Sequence, residues 1–292
     1  MPHTVRVDRR RFLALGATVA LVPALTACGE DALVPGAQPD PDVPEPVRTA
    51  YGDDPSQFGV LHRPAGEPRG VVVVVHGGFW RVGYNAVDLG TPLAVALANE
   101  GWAAWNLESR RVGDGDGGGG GTPETFDDVA AGIDKLADLD LDTTTVVTLG
   151  HSAGGHLATW AAARGRYGWD DAVPVTHVVS QAGVLDLVAS EEEGLGGGAA
   201  GQLLGRQPTV ADERFDPAQQ LPLDVPVWCV HGTDDPIVPL SQSTSYVEAA
   251  VADGATAELV EVAGDHFVVI DVESDAWTRT LEVLDQIAPS SG

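Results

Sequence analysis

The sequence predicts an α/β fold: an open, doubly wound, mostly parallel sheet with helices on both faces and a short cap insertion. Three observations predict it. Strand-like and helix-like patterns alternate along most of the chain, as βα units feeding a parallel sheet do. Val71 to Val75 is an unbroken β-branched run, and such runs belong to strands covered on both faces. Gly150-His151-Ser152-Ala153-Gly154 stands between the apolar run Thr145 to Leu149 and a helix-like stretch, Gly155 to Ala163. Strand, sharp turn and helix is the setting in which a Gly-x-Ser-x-Gly serine is held at the tip of an elbow. A side chain at either glycine would crowd that turn.

The chain has 292 residues and carries 16 Lys and Arg against 43 Asp and Glu, a formal net charge of −27. Lys135 is the only lysine, so a nucleic-acid-binding role is excluded on charge. Residues 1–27 read as an export signal. Arg9-Arg10-Arg11-Phe12-Leu13 resembles the twin-arginine pattern. The apolar stretch from Phe12 to Ala27 is too short for a comfortable membrane span. It ends in Leu25-Thr26-Ala27-Cys28, which resembles a bacterial lipobox. That reading puts the cut before Cys28, lipid on its thiol, and the domain on the extracytoplasmic face of the membrane. Ordinary cleavage after Ala27, with secretion, is the alternative, but Leu25 is bulky for a small-x-small site. Residues 28–48 are rich in Pro and Asp, cannot bury a core and read as a semi-extended linker.

The domain is expected over 49–292. Gln57 to Arg63 reads as a strand, then Val71 to Val75, a helix from Val87 to Glu100 and a strand from Trp102 to Leu107. Gly117 to Gly121 follows a strand end; no Gly-Lys-Ser/Thr continues it, so it is a flexible loop that could border the mouth of a site, not a P-loop. Thr122-Pro123 opens a helix running from Glu124 to Ala137. After the elbow come a strand (His177 to Ala182), an irregular insertion (185–223) and a strand (Val225 to Val230). A helix (Leu240 to Ala252), a strand (Ala257 to Val262) and a last helix (Ser274 to Ile287) complete the domain. Cys229 lies in an apolar run and reads as a buried small hydrophobe, so no disulfide is expected.

A serine nucleophile needs a base, and the base needs an orienting acid. On this kind of sheet their order is Ser, Asp or Glu, His. Asp234 and Asp235 are adjacent after one later strand, and His266 follows the next. Both stand at strand C-terminal ends, where open α/β sheets build their sites. Ala153, the residue after the serine, offers one backbone N–H to an oxyanion. Zinc-type ligand spacing and a Gly-x-Gly-x-x-Gly after a strand are both missing from the sequence, so no metal or organic cofactor is expected.

The motifs His76-Gly77-Gly78-Phe79-Trp80, Glu108 to Gly113, the elbow, His231 to Pro239 and Gly264-Asp265-His266-Phe267 together resemble the α/β-hydrolase superfamily. The resemblance is to the esterase branch that includes kynurenine formamidase-like and feruloyl-esterase-like (BD-FAE-like) proteins, and it runs from about Tyr51 to the end. It implies the α/β-hydrolase fold. The family pattern His-Gly-x-x-Asp-x-x-Val-Pro places the acid at Asp235, with Asp234 at a variable position, and His266 matches the base. It also places the remaining oxyanion donors at Gly78 and Phe79, although Phe79 replaces the third glycine of the His-Gly-Gly-Gly version. Phe79 and Trp80 could narrow the acyl pocket or simply pack. His151, the variable elbow residue, could line the pocket. Arg110 and Arg111 could clamp a substrate carboxylate or pair with nearby acidic residues. His76 and His231, beside glycines at strand ends, are expected to hydrogen-bond to loops.

The function these residues imply is cleavage of carboxylic esters through an acyl-enzyme on Ser152, Asp235 and His266. The acidic, glycine-rich insertion reads as a mobile, solvated cover rather than a greasy lid, which favours small or soluble esters. An amide hydrolase of the aryl formamidase kind shares the sheet and the site and is the enzymatic alternative. A hydrolase fold used only for binding is the non-enzymatic one; the complete residue set argues against it.

Overall fold

The computed structural model describes residues 38, 40–84 and 86–288. The expected signal, the expected lipidation site Cys28 and most of the linker lie outside them. Among the described residues, the strands are β1 (Val47–Ala50), β2 (Phe58–His62), β3 (Val71–Val75), β4 (Ala103–Leu107), β5 (Val146–His151), β6 (His177–Gln181), β7 (Val227–Gly232) and β8 (Ala257–Val262). The α-helices are α1 (Ala86–Asn99), α2 (Glu124–Asp134), α3 (Ala153–Ala161), α4 (Leu187–Glu192), α5 (Ala199–Leu204), α6 (Ser241–Ala252) and α7 (Asp275–Ile287). The strands form one sheet in the order β1-β2-β4-β3-β5-β6-β7-β8. From β4 to β8 every pairing is parallel; β1 and β2 join antiparallel at one edge. The sequence reading had no β1, whose first residues, Val47 and Arg48, fall within the stretch read as linker. Four mostly exposed residues carry no apolar alternation, so only pairing with β2 makes them a strand.

The central strand shows why the sheet is covered twice. Val71, Val73 and Val75 enter the core on one face, and Val72 and Val74 enter the core on the other. Each fully buried valine contributes about 1.5–3 kcal/mol. Helices α1 and α7 pack on the second face through Leu93, Leu97, Trp277 and Leu284. Helices α2, α3 and α6 cover the first through Phe126, Ile133, Trp160 and Tyr246. Cys229 is buried with its thiol free.

The insertion is no loose cover. Leu187 of α4 and Ala200 and Leu203 of α5 are buried in the first core. Asp186 caps α4 by accepting the N–H of Ala189 at 2.8 Å. Glu191, read from sequence as solvated, accepts the N–H of Gly201 at 2.8 Å and the amide of Gln207 at 2.9 Å. The glycine run is likewise laced to its surroundings: Arg111 donates to Gly117, Gly119 to Gly113 and Gly120 to Arg111 along the backbone. Thr122 Oγ1 reaches the carbonyl of Leu203 at 3.0 Å, which ties this loop to the cap.

The chain enters the domain at the end opposite the elbow. Asp40 donates to the side chain of Asn99 at 3.1 Å, and Asn99 donates back to Gln38 at 2.9 Å. Asn99 ends α1, just before β4 begins. Val47 pairs with Leu61 and His62 with Ala104, so β1 also starts beside the N-terminal ends of the parallel strands.

Candidate active site

Ser152 stands between β5 and α3 with φ 56 and ψ −120. A left-handed conformation at a non-glycine residue costs about 1–3 kcal/mol and persists only where the surroundings impose it. Here they do. The Ser152 N–H donates to Gln181 of β6 at 2.9 Å, and its carbonyl accepts from His156 at 3.2 Å and Val184 at 3.3 Å. A Cβ at Gly150 would collide with the carbonyl of Gly154, and one at Gly154 with the carbonyl of Val75. The two glycines let strand, elbow and helix close on one another, with α3 starting directly at Ala153.

The turn after β7 brings Asp235 under the loop that follows β8. His266 Nδ1 lies 2.6 Å from Asp235 Oδ2, with the aspartate side chain wholly buried and that of His266 nearly so. Asp235 Oδ1 accepts the backbone N–H groups of Ile237 at 2.8 Å and Val238 at 2.9 Å. Burial pushes the Asp235 carboxyl up, but hydrogen bonds from His231, His266 and these amides outweigh it and hold the group well below the usual range. It is therefore a carboxylate at any pH near neutral. The neighbouring Asp234 is exposed and its backbone N–H bonds the carbonyl of Gly264. Of the two adjacent carboxylates, Asp235 is the one that meets the histidine.

The loop after β3 runs beside the elbow. Gly78, Phe79 and Trp80 all have positive φ, at 113, 54 and 58. Among the described residues, the N–H groups of Gly78, Phe79 and Ala153 have no backbone acceptor. His76 supports the loop from below: its ring nitrogens lie 2.8 Å from the carbonyl of Gly77 and 3.2 Å from Glu108 Oε1. Burial raises the Glu108 carboxyl, but His76, Arg111 and the Ser109 N–H outweigh it and hold it below the usual range. From the cap side, Arg81 Nη2 donates to the carbonyl of Gly196. Gly196, at φ 55, lies against the Phe79 ring, where a Cβ would clash.

Three expected substrate contacts are otherwise engaged. Trp80 is buried, and its indole N–H donates to the carbonyl of Ala153 at 3.0 Å, so the ring braces the loop against α3. His151 is buried, with Nε2 bonded at 2.9 Å to the carbonyl of His266. Burial, then the nearby His266, pushes it down to about 3. The neutral ring props the His266 loop. Arg110 holds Asp128 through Nε and Nη2, at 2.8 and 2.6 Å, which is the pairing alternative. Arg111 lies 3.6 Å from Glu108 and donates to the carbonyl of Tyr84 at 3.0 Å.

Two residues at the mouth escaped the sequence reading. Tyr84 is 45% exposed and packs against Gly78, and Phe267 is 50% exposed and meets the His266 ring edge-on at 5.3 Å. A large apolar residue left half in water beside a candidate site is the available signal, and it requires burial to be known. Among the described residues no group of His, Cys, Asp and Glu could hold a metal ion.

The BD-FAE family model matches residues 61–249, which include Gly78, Phe79, Ser152, Ala153 and Asp235 and stop short of His266. No curated protein matches the sequence. Among solved structures, a truncated carbohydrate esterase from gut microbiota superposes with a TM-score of 0.72 at 19% identity, covering 86% of this chain and 99% of that one. A thermophilic esterase of the planctomycete Thermogutta terrifontis gives 0.68 at 22% identity, over 89% and 99% of the two chains. Esterase B of Lactobacillus rhamnosis gives 0.71 at 22% identity, over 86% of each. At these identities the likeness is one of fold.

Proposed function

The chain belongs to the BD-FAE family, in the esterase branch of the α/β-hydrolases, and from that membership and its site we infer that it is a serine hydrolase of small or soluble carboxylic esters. Ser152 is the nucleophile, His266 the base and Asp235 the acid that orients it. The observation that carries this reading is the 2.6 Å bond from His266 Nδ1 to a buried Asp235 carboxylate, with His266 also bonded through its carbonyl to His151, the residue before a strained serine. The bond fixes the tautomer, leaving Nε2 as the proton acceptor.

His266 Nε2 takes the proton of Ser152 Oγ as that oxygen attacks the ester carbonyl. The carbonyl oxygen becomes an oxyanion and is met by the N–H groups of Gly78, Phe79 and Ala153; losing one such donor costs about 3–4 kcal/mol. His266 then returns its proton to the departing alcohol, leaving the acyl group on Ser152. Water, deprotonated by His266, releases the acid. Asp235 stays ionised throughout and offsets the imidazolium charge. The half-exposed rings of Tyr84 and Phe267 flank the mouth and receive the apolar part of the ester.

Turnover of short p-nitrophenyl esters tests the reading. Ser152→Ala is expected to lower kcat by at least about 10⁴-fold with the fold intact; retained turnover would remove Ser152 as nucleophile. An N-formyl anilide in the same panel separates ester from amide hydrolysis: faster turnover of the anilide would overturn the ester assignment. The twin-arginine and lipobox patterns support export and anchoring through Cys28. Cys28→Ser should then release the protein from the membrane fraction of its host, and protein found soluble in both forms would refute anchoring.

A further inference from the structure

Asp235 serves two histidines, and the acyl-transfer reading uses one. His231, near the end of β7, has a wholly buried side chain. Its Nε2 lies 3.0 Å from the carbonyl oxygen of Val238 and 3.3 Å from Asp235 Oδ2. A carbonyl only accepts, so Nε2 carries the proton and its N–H is divided between the two oxygens. Nδ1 lies 2.7 Å from Ser243 Oγ of α6, which holds the ring against rotation. Asp235 Oδ2 is the same atom that His266 Nδ1 approaches at 2.6 Å, while Oδ1 is occupied by the amides of Ile237 and Val238. One buried oxygen thus divides its charge between two imidazoles, where no solvent levels the difference.

We propose that His231 is a positioning residue for the reaction: by sharing Asp235 Oδ2 with His266 it holds the carboxylate in place and limits the charge that the catalytic histidine feels. The proposal rests on the triad reading and takes it one residue further. Its consequence has a definite sign. A carboxylate no longer shared favours the imidazolium more strongly, so losing the His231 N–H raises the pH at which His266 gives up its proton. The other titratable groups facing the pair are few. His151, from the end of β5, is pushed down to about 3 and is neutral near neutral pH. Cys229, within β7, reaches His231 only through Ser243, and burial pushes its thiol up to about 12. Asp234 and Asp265 stand exposed on the adjoining loops.

The test is the pH profile of kcat/KM for p-nitrophenyl butyrate, measured on the full chain. In His231→Leu the acid limb should move up by about one unit, with kcat lowered and KM within about twofold of wild type. In His231→Gln, whose amide N–H can reach the same oxygen, the limb should return to its wild-type position. A Leu limb that superimposes on wild type overturns the proposal, and so does a Gln variant that behaves like Leu. Should His231→Leu not fold, Ser243→Ala decides by freeing the ring: a limb raised in the same sense supports the role, and an unmoved limb overturns it. Turnover retained in Ser152→Ala is a different failure, because it removes the triad itself.

Discussion

Four donors converge on the carboxylate of Asp235, two imidazoles and two backbone amides. Asp235→Asn replaces an acceptor by a donor facing His266 Nδ1 and so favours the wrong tautomer. It is expected to lower kcat by about 10⁴-fold, whereas the exposed Asp234→Asn should stay within a few-fold. Comparable losses in the two variants would leave the acid unassigned. Trp80 gives a second residue-scale prediction. Trp80→Phe keeps the ring and removes the N–H that reaches the Ala153 carbonyl. A lost internal hydrogen bond is worth about 1 kcal/mol, or about 2–4 °C in Tm for a domain of this size. Because the brace joins the loop after β3 to α3, on which the proposed oxyanion donors stand, kcat should fall while KM holds, which steady-state kinetics with a short ester would show.

At the scale of elements, the insertion contains a buried acid. Asp216 is wholly buried where the insertion returns to the sheet; it accepts the N–H of Ala218 at 3.2 Å and the amide of Gln219 at 2.8 Å. Burial, with nearby Asp186 adding to it, pushes its carboxyl up to about 6. The sign follows from linkage. An acid whose folded pKa is raised binds its proton more tightly in the native state, so its stabilisation is full below about pH 4 and lost as pH rises through about 6. Hydrogen exchange of cap amides should therefore quicken, relative to the central sheet, from pH 5 to pH 7 after correction for intrinsic rates. Asp216→Asn should flatten that dependence; an unchanged slope would place the proton elsewhere. The opposite sign holds for Asp235, whose depressed carboxyl stabilises the fold above the unfolded value near 4 and loses that contribution only in strong acid.

Over the whole molecule, a formal charge of −27 means that folding gathers like charges. Raising salt from about 0.1 M to about 1 M shortens the Debye length from about 10 Å to about 3 Å. Tm should rise over that range, and a flat or falling Tm would show that local ion pairs such as Arg164–Asp134 and Arg110–Asp128 matter more than the net field. The chain enters beside Asn99, at the opposite end of the sheet from Ser152. A chain beginning at Gln38 should therefore keep the kcat/KM of the full chain; a loss would show that the leading segment reaches the site.

The sequence by itself determined the alternation of strands and helices, the parallel sheet and the candidates Ser152, Ala153 and His266, while its family resemblance supplied Asp235 over Asp234 and added Gly78 and Phe79. Those signals are local: a β-branched run, a turn that only glycine permits, a motif at a strand end. Tertiary structure alone decided between uses of the same side chain. Trp80, His151 and Arg110 carry groups that could meet a substrate, and each is claimed by a partner distant in sequence: Ala153, the His266 carbonyl and Asp128. Strand β1 and the buried underside of the cap are likewise made by what lies across from them. His231 shows the boundary most clearly, since its loop contact was legible from position, but its share of Asp235 depends on where β8 delivers His266. A side chain's chemistry is written in its type, and its role is set by which neighbour reaches it first at hydrogen-bonding distance in a space without water.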